Sequence, residues 1–185
     1  MSPWANPLNR AVSPVNLKGF LMTSSSSPRK RAIATSDTTI GSTRYNLYKQ
    51  AYSRINDATK QGFFLEAITI IESLISDRLE SRLTFLKKHD VSFKTLGGLI
   101  KESRKTETDS PLKELVAQDL DRWRNDRNKA LHEMAKIADG DSSTWEDRVK
   151  GIVPVATDGL KILRAIDKRC KDLRKLDLKS RHING

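Results

Sequence analysis

One cysteine and three histidines are all that this 185-residue chain has of thiolate and imidazole metal ligands. Cys170, His89, His132 and His182 stand at none of the short spacings that a tetrahedral zinc centre requires, so a structural metal site is not expected. A lone cysteine also excludes an internal disulfide. Cys170 falls on the apolar line of a helical pattern and reads as a packed thiol, not a nucleophile. Long apolar runs are missing too: no stretch reaches the about 18 residues of a membrane span. Near the N-terminus Asn6, Asn9, Arg10 and Lys18 interrupt what would otherwise be a secretory core. A cytoplasmic protein with no cofactor, no metal and no membrane attachment is therefore expected.

Acidic residues are in deficit. The chain carries 34 Lys and Arg against 23 Asp and Glu, a formal net charge of +11. Residues 1–42, with Arg10, Lys18, Arg29, Lys30 and Arg31 against Asp37, hold +4 of it. Residues 161–185 hold +6, so the long stretch between is nearly neutral at +1. A folded body with basic flanks suits a polyanion such as RNA better than it suits an enzyme with a uniformly basic surface.

Residues 1–42 contain Pro3, Pro7, Pro14, Pro28 and the serine run from Ser24 to Ser27, with no sustained apolar period, and read as a disordered basic tail. Met22 is an alternative start of translation within it. Arg29-Lys30-Arg31 reads first as solvated charge, and otherwise as a localisation or polyanion-contact signal. From Thr43 the spacing turns helical. Tyr45, Tyr48, Tyr52 and Ile55 form one stripe that ends at Gly62. A second helix follows from Phe64, Ile68, Ile71, Ile75, Leu79 and Leu86, which recur at helical spacing over more than six turns and must line the core.

A short third helix is expected from Phe93 to Arg104, weakened by Gly97-Gly98. Asp109-Ser110-Pro111 then supplies a cap and an early proline for a long helix. Its apolar line runs through Leu112, Val116, Leu120, Trp123, Leu131, Met134 and Ile137 and stops before Asp139-Gly140. The last helical stretch starts near Thr144, is interrupted at Pro154, and resumes through Leu160, Leu163, Ile166, Cys170 and Leu173. No segment alternates with period two. The fold expected is an all-α, up-and-down helical bundle over residues 43–176, with 177–185 as a basic C-terminal tail.

Chemistry concentrates on the long helix, in Arg127-Asn128-Lys129-Ala130-Leu131-His132. Stepping by three and four from Leu120 and Trp123 lands on Arg127 before the line continues to Leu131, so a guanidinium occupies a core-facing position. Leaving a buried charge unpaired costs several kcal/mol. Arg127 must therefore extend out to water, pair with a carboxylate, for which Glu72 and Asp77 on the second helix are candidates, or face a cleft that binds an anion. Asn128 and His132 share a face at a spacing of four, with Arg124 one turn earlier on the same line. Arg127 and His132 are separated by about 140° of helical rotation, so they flank a groove that suits a phosphate.

At these residues the sequence resembles the HEPN superfamily, whose nuclease members carry an arginine, often followed by a polar residue, and a histidine four to six residues later on a helix. The match here is Arg127-Asn128-x-x-x-His132, late in an all-helical domain and preceded by an amphipathic helix bearing Glu72. The resemblance covers roughly residues 43–176 as a helix pattern and is specific over those six residues. It implies metal-independent endoribonuclease activity from a homodimer whose two motif helices face each other. It also implies a toxin or abortive-infection effector, acting in antiviral defence and held by an antitoxin or regulatory protein.

In that scheme His132 is the general acid/base, Arg127 orients the scissile phosphate, and Asn128 fixes the motif helix or donates to phosphate. Arg124 and Lys129 are secondary phosphate contacts. The alternative is a non-catalytic helical module for RNA or a protein partner, using Lys168, Arg169, Lys171, Arg174 and Lys175 of the amphipathic C-terminal run.

Overall fold

The computed structural model describes residues 38–91, 94–137 and 139–183. These form α1 (Thr38–Lys60), α2 (Phe64–Lys87), α3 (Leu96–Thr106), α4 (Ser110–Leu115), a π-helical turn (Val116–Leu120), α5 (Asp121–His132) and α6 (Trp145–Ile183). There is no strand among the described residues, and the molecule is an all-α bundle. The tail residues 1–37, including Met22, the serine run and Arg29-Lys30-Arg31, lie outside the described residues, as do Phe93, at the expected start of the third helix, and residues 184–185.

The bundle is built around α2. Ala67, Ile68, Ile71, Leu74, Ile75, Leu79 and Leu83 are buried along it because α1, α3 and α6 all pack on it. Each fully buried isoleucine or leucine contributes about 1.5–3 kcal/mol. The turn into α2 depends on Gly62, whose φ of +81° is left-handed, and on the Phe63 amide donating back to the Ala58 carbonyl at 2.8 Å. α1 begins at Thr38, five residues before the expected boundary, with its first turns exposed. Tyr45 does not belong to the α1 core stripe: it is 68% exposed, and the buried line is instead Ile55 and Ala58, with Tyr48, Ala51 and Tyr52 partly covered.

Ion pairs fasten the helices across their seams. Arg82 makes a bidentate pair with Glu107, through Nε to Oε2 and Nη2 to Oε1 at 2.9 Å each, and reaches Asp177 on α6 at 3.1 Å. Glu107 Oε1 also accepts the amides of Thr108 and Asp109, which satisfies an otherwise costly buried carboxylate. Arg78 pairs with the buried Asp167 at 2.6 Å while its guanidinium lies 4.1 Å over the Tyr48 ring, joining α1, α2 and α6.

Two expectations about helix ends are corrected. α6 is not interrupted at Pro154 but runs from Trp145 to Ile183, through the segment read as a tail. Pro154 and Lys150 are exposed, so water can take the Lys150 carbonyl that the ring leaves without an amide donor. Ile152, Ala156, Leu163 and Ile166 meanwhile keep one buried face across it. The second correction is that α5 stops at His132, not near Ile137, which is 82% exposed.

Candidate functional site

α4 starts where Asp109 accepts the Leu112 amide at 3.0 Å, with Pro111 in the first turn. The π turn then inserts a wider loop into the rod. Arg104 of α3 donates to the Ala117 carbonyl and to Asp121, each at 2.7 Å, so the bulge is braced from outside the helix. Beyond it, Trp123 enters the core and its Nε1 donates to the Val155 carbonyl of α6 at 2.7 Å. Gly159 makes this possible, since a Cβ there would lie 2.6 Å from the indole nitrogen. The indole thereby fixes the rotation of α5 against α6.

With Trp123 turned to α6, Arg127 faces α2. It pairs through Nη2 with Glu72, and its Nη1 donates to Asn128 Oδ1 at 2.8 Å. The Arg127 side chain keeps 12% of its exposure, so it is neither snorkelled into water nor unpaired. Asp77, the other carboxylate considered for Arg127, is engaged elsewhere: it accepts the Tyr48 hydroxyl at 2.6 Å and lies 3.9 Å from Arg44. A guanidinium has five N–H donors. Two are used here, and the buried Nε–H has no partner.

Arg124 lies one turn earlier, its Nη2 3.0 Å from Asp121 and its Nη1 so close to α3 that a Cβ on Gly97 would approach it to 2.8 Å. Arg124, Arg127 and Asn128 thus lie side by side at the seam with α2 and α3. His132 is the last residue of α5 and is exposed.

Other residues predicted for the site are placed apart. Lys129 lies on the far side of α5, in a groove of about 650 Å³ between α5 and α6, with Asp126, Glu133, Arg148 and Lys161. Charge of both signs lines that groove, which contains none of Arg127, Asn128 and His132. On α6, Lys168, Lys171 and Arg174 are exposed. Arg169 is not: its Nε donates to Asp109 Oδ1 at 2.8 Å, which clamps α6 to the start of α4. The Arg169 guanidinium, with the Leu112 amide, holds the Asp109 carboxyl below the usual carboxylate range.

Burial pushes the Cys170 thiol up to about 11, the direction that makes it unreactive at neutral pH. No group of three or more His, Cys, Asp and Glu side chains able to hold a metal occurs among the described residues. None of their helices is long and apolar enough to cross a membrane.

Sequence reasoning missed Arg148. Its guanidinium donates to the Glu133 and Lys136 carbonyls at 2.7 Å, the Met134 carbonyl at 3.2 Å and Asp141 at 2.5 Å. No local pattern announces it, because its partners lie 7 to 15 residues away. No family model, curated protein or solved structure matches the chain.

Proposed function

We propose that this chain is a metal-independent endoribonuclease of HEPN type, acting as a toxin or defence effector. The observation that carries the reading is the state of Arg127: its guanidinium is held in place by Glu72 and Asn128, about one and a half turns along α5 from an exposed histidine. A cation fixed in place on the same helix as a proton-transfer group is an arrangement that suits a phosphodiester. In the reaction, a 2′-hydroxyl attacks phosphorus and the bond to the 5′-oxygen breaks, giving a cyclic phosphate and a free 5′-hydroxyl. His132 takes the 2′ proton, and a second copy of the chain, facing the first, supplies the acid that protonates the leaving oxygen. Arg127 balances charge on the phosphate, and Asn128 sets its orientation. A neutralising antitoxin or regulatory protein is the partner that such a toxin needs.

The test is cleavage of total RNA and tRNA in EDTA by wild type, His132→Ala and Arg127→Ala at matched circular dichroism. Loss of about 10²–10⁴-fold in both variants is expected. Cleavage persisting unchanged in both would overturn the reading. The exposed α6 cations Arg164, Lys168, Lys171 and Arg174 favour a second reading, a non-catalytic RNA-binding module. Folded, dimeric wild type that binds RNA in a salt-sensitive way without cutting it would select that one.

A further inference from the structure

α5 lacks the signals that normally end a helix. The residues after His132 are Glu133, Met134, Ala135, Lys136 and Ile137, with no glycine until Gly140 and no proline until Pro154. Met134 and Ile137 even continue the helical apolar spacing. Left to its local sequence, the helix would run on and place His132 inside it. What stops it comes from α6. There Thr144 and Asp147 cap the helix reciprocally, the Thr144 hydroxyl donating to Asp147 at 2.8 Å and accepting the Asp147 amide at 3.2 Å. This cap fixes the first turn of α6, from which Arg148 extends.

The Arg148 guanidinium gathers the carbonyls of Glu133, Met134 and Lys136 onto one nitrogen, and its other terminal nitrogen holds Asp141. Asp141 is itself locked, accepting the Ser143 amide at 2.9 Å and the Ser143 hydroxyl at 2.6 Å. These bonds, with the Arg148 charge, hold its carboxyl below the usual range, so the pair stays ionised through neutral pH. Arg148 thereby holds residues 133–136 as a turn, in which the Glu133 carbonyl accepts the Lys136 amide at 3.1 Å and not the Ile137 amide that a continuing α5 would offer it.

We infer that Arg148 is a positioning residue that terminates α5 at His132 and thereby presents the His132 imidazole at the helix end. The catalytic half of this inference rests on the reading of His132 as the proton-transfer group. The structural half stands without it. Lysine keeps the charge of arginine but cannot reproduce the planar fork that spans several carbonyls and a carboxylate. Arg148→Lys therefore separates geometry from charge, and Asp141→Asn loosens the clamp while leaving Arg148 in place.

Amide hydrogen exchange over residues 133–137 is measured in the full chain, alongside the His132 ring resonances across a pH titration and cleavage in EDTA. In Arg148→Lys, exchange at the Glu133 and Lys136 amides should rise about tenfold or more, with the α2 amides unchanged. The His132 resonances should shift, and kcat should fall about 10-fold to 100-fold with KM nearly constant. Asp141→Asn should follow in the same direction with a smaller effect.

Unchanged exchange at 133–137 and unshifted His132 resonances in folded Arg148→Lys would overturn the clamp. A clamp that loosens while kcat holds would overturn its catalytic role. Wild type that never cuts RNA would instead count against the endoribonuclease reading, and exchange and the His132 resonances would still decide whether Arg148 sets the end of α5.

Discussion

The two flanks of α5 carry similar residues to different ends. Toward α2 and α3 stand Arg124, Arg127 and Asn128; toward α6 stand Arg122, Asp126, Lys129 and Glu133, which line the wider groove. In that groove cations and carboxylates alternate, and Asp158 and Lys161 of α6 pair with each other at 2.8 Å. Such a surface has little net field and no shortage of acceptors. At the α2 seam, by contrast, guanidinium nitrogens on both Arg124 and Arg127 are buried without a partner. Cavity volume points to the groove, whereas an excess of cations points to the seam, where Arg104 and Arg124 share the carboxylate of Asp121. For a polyanionic substrate the sign of the local charge is the relevant quantity.

The largest effect that could break this comparison is catalytic. Asn128→Ala removes the acceptor that orients Arg127 Nη1 and is expected to lower kcat for RNA cleavage by about 10-fold to 100-fold. Lys129→Ala and Asp126→Asn, on the groove flank, should change it less than about twofold. Steady-state cleavage in EDTA with the three variants at matched fold decides the matter. A loss in Lys129→Ala equal to that in Asn128→Ala would move the site into the groove.

A second contrast is one of stability. Glu72→Gln removes the charge that compensates a largely buried Arg127 and should cost about 1–3 kcal/mol in urea unfolding. Asp158→Asn, in an exposed pair between neighbouring turns of α6, should fall within about 0.5 kcal/mol of wild type. Equal costs would mean that Glu72 is solvated in solution and that Arg127 is not held at the seam.

Much of this arrangement was legible in the sequence. The α2 stripe, the Asp109 cap and the core-facing step of Arg127 all follow from spacing, because each depends on residues within a turn or two of one another. Four features were not legible. The end of α5 is set by Arg148 from the next helix, and the rotation of α5 by Trp123 against Gly159, 36 positions along the chain. Pro154 reads as a break because local propensity counts the lost amide and not the buried face of α6 that carries on across it. The cations of α6 look alike in composition, yet Arg169 turns inward to Asp109 while Lys168, its neighbour, faces water. Contacts between elements decide all four, and periodicity carries no record of what a helix packs against or pairs with beyond its own turns.

Adjacent residues on α6 provide the smallest and sharpest contrast. Lys168 is exposed and forms no ion pair among the described residues, whereas Arg169 is committed to Asp109. Removing a phosphate contact should reduce the slope of log K against log salt by about 0.7 for single-stranded RNA. Lys168→Ala should therefore flatten the salt dependence of binding, measured by fluorescence anisotropy with the His132→Ala protein, and leave thermal stability alone.

Arg169→Ala should do the reverse, keeping the slope and lowering the melting temperature. That loss of stability has its own pH signature. The Asp109 carboxyl is depressed in the folded state, so its contribution is complete above the ordinary carboxyl value of about 4. The contribution disappears as the pH falls through the lower folded value. The gap in melting temperature between wild type and Arg169→Ala should accordingly be full at pH 7 and close as the solution is acidified below pH 4. A gap that stays constant down to full protonation would show that Arg169 stabilises α6 through its aliphatic stem and not through Asp109.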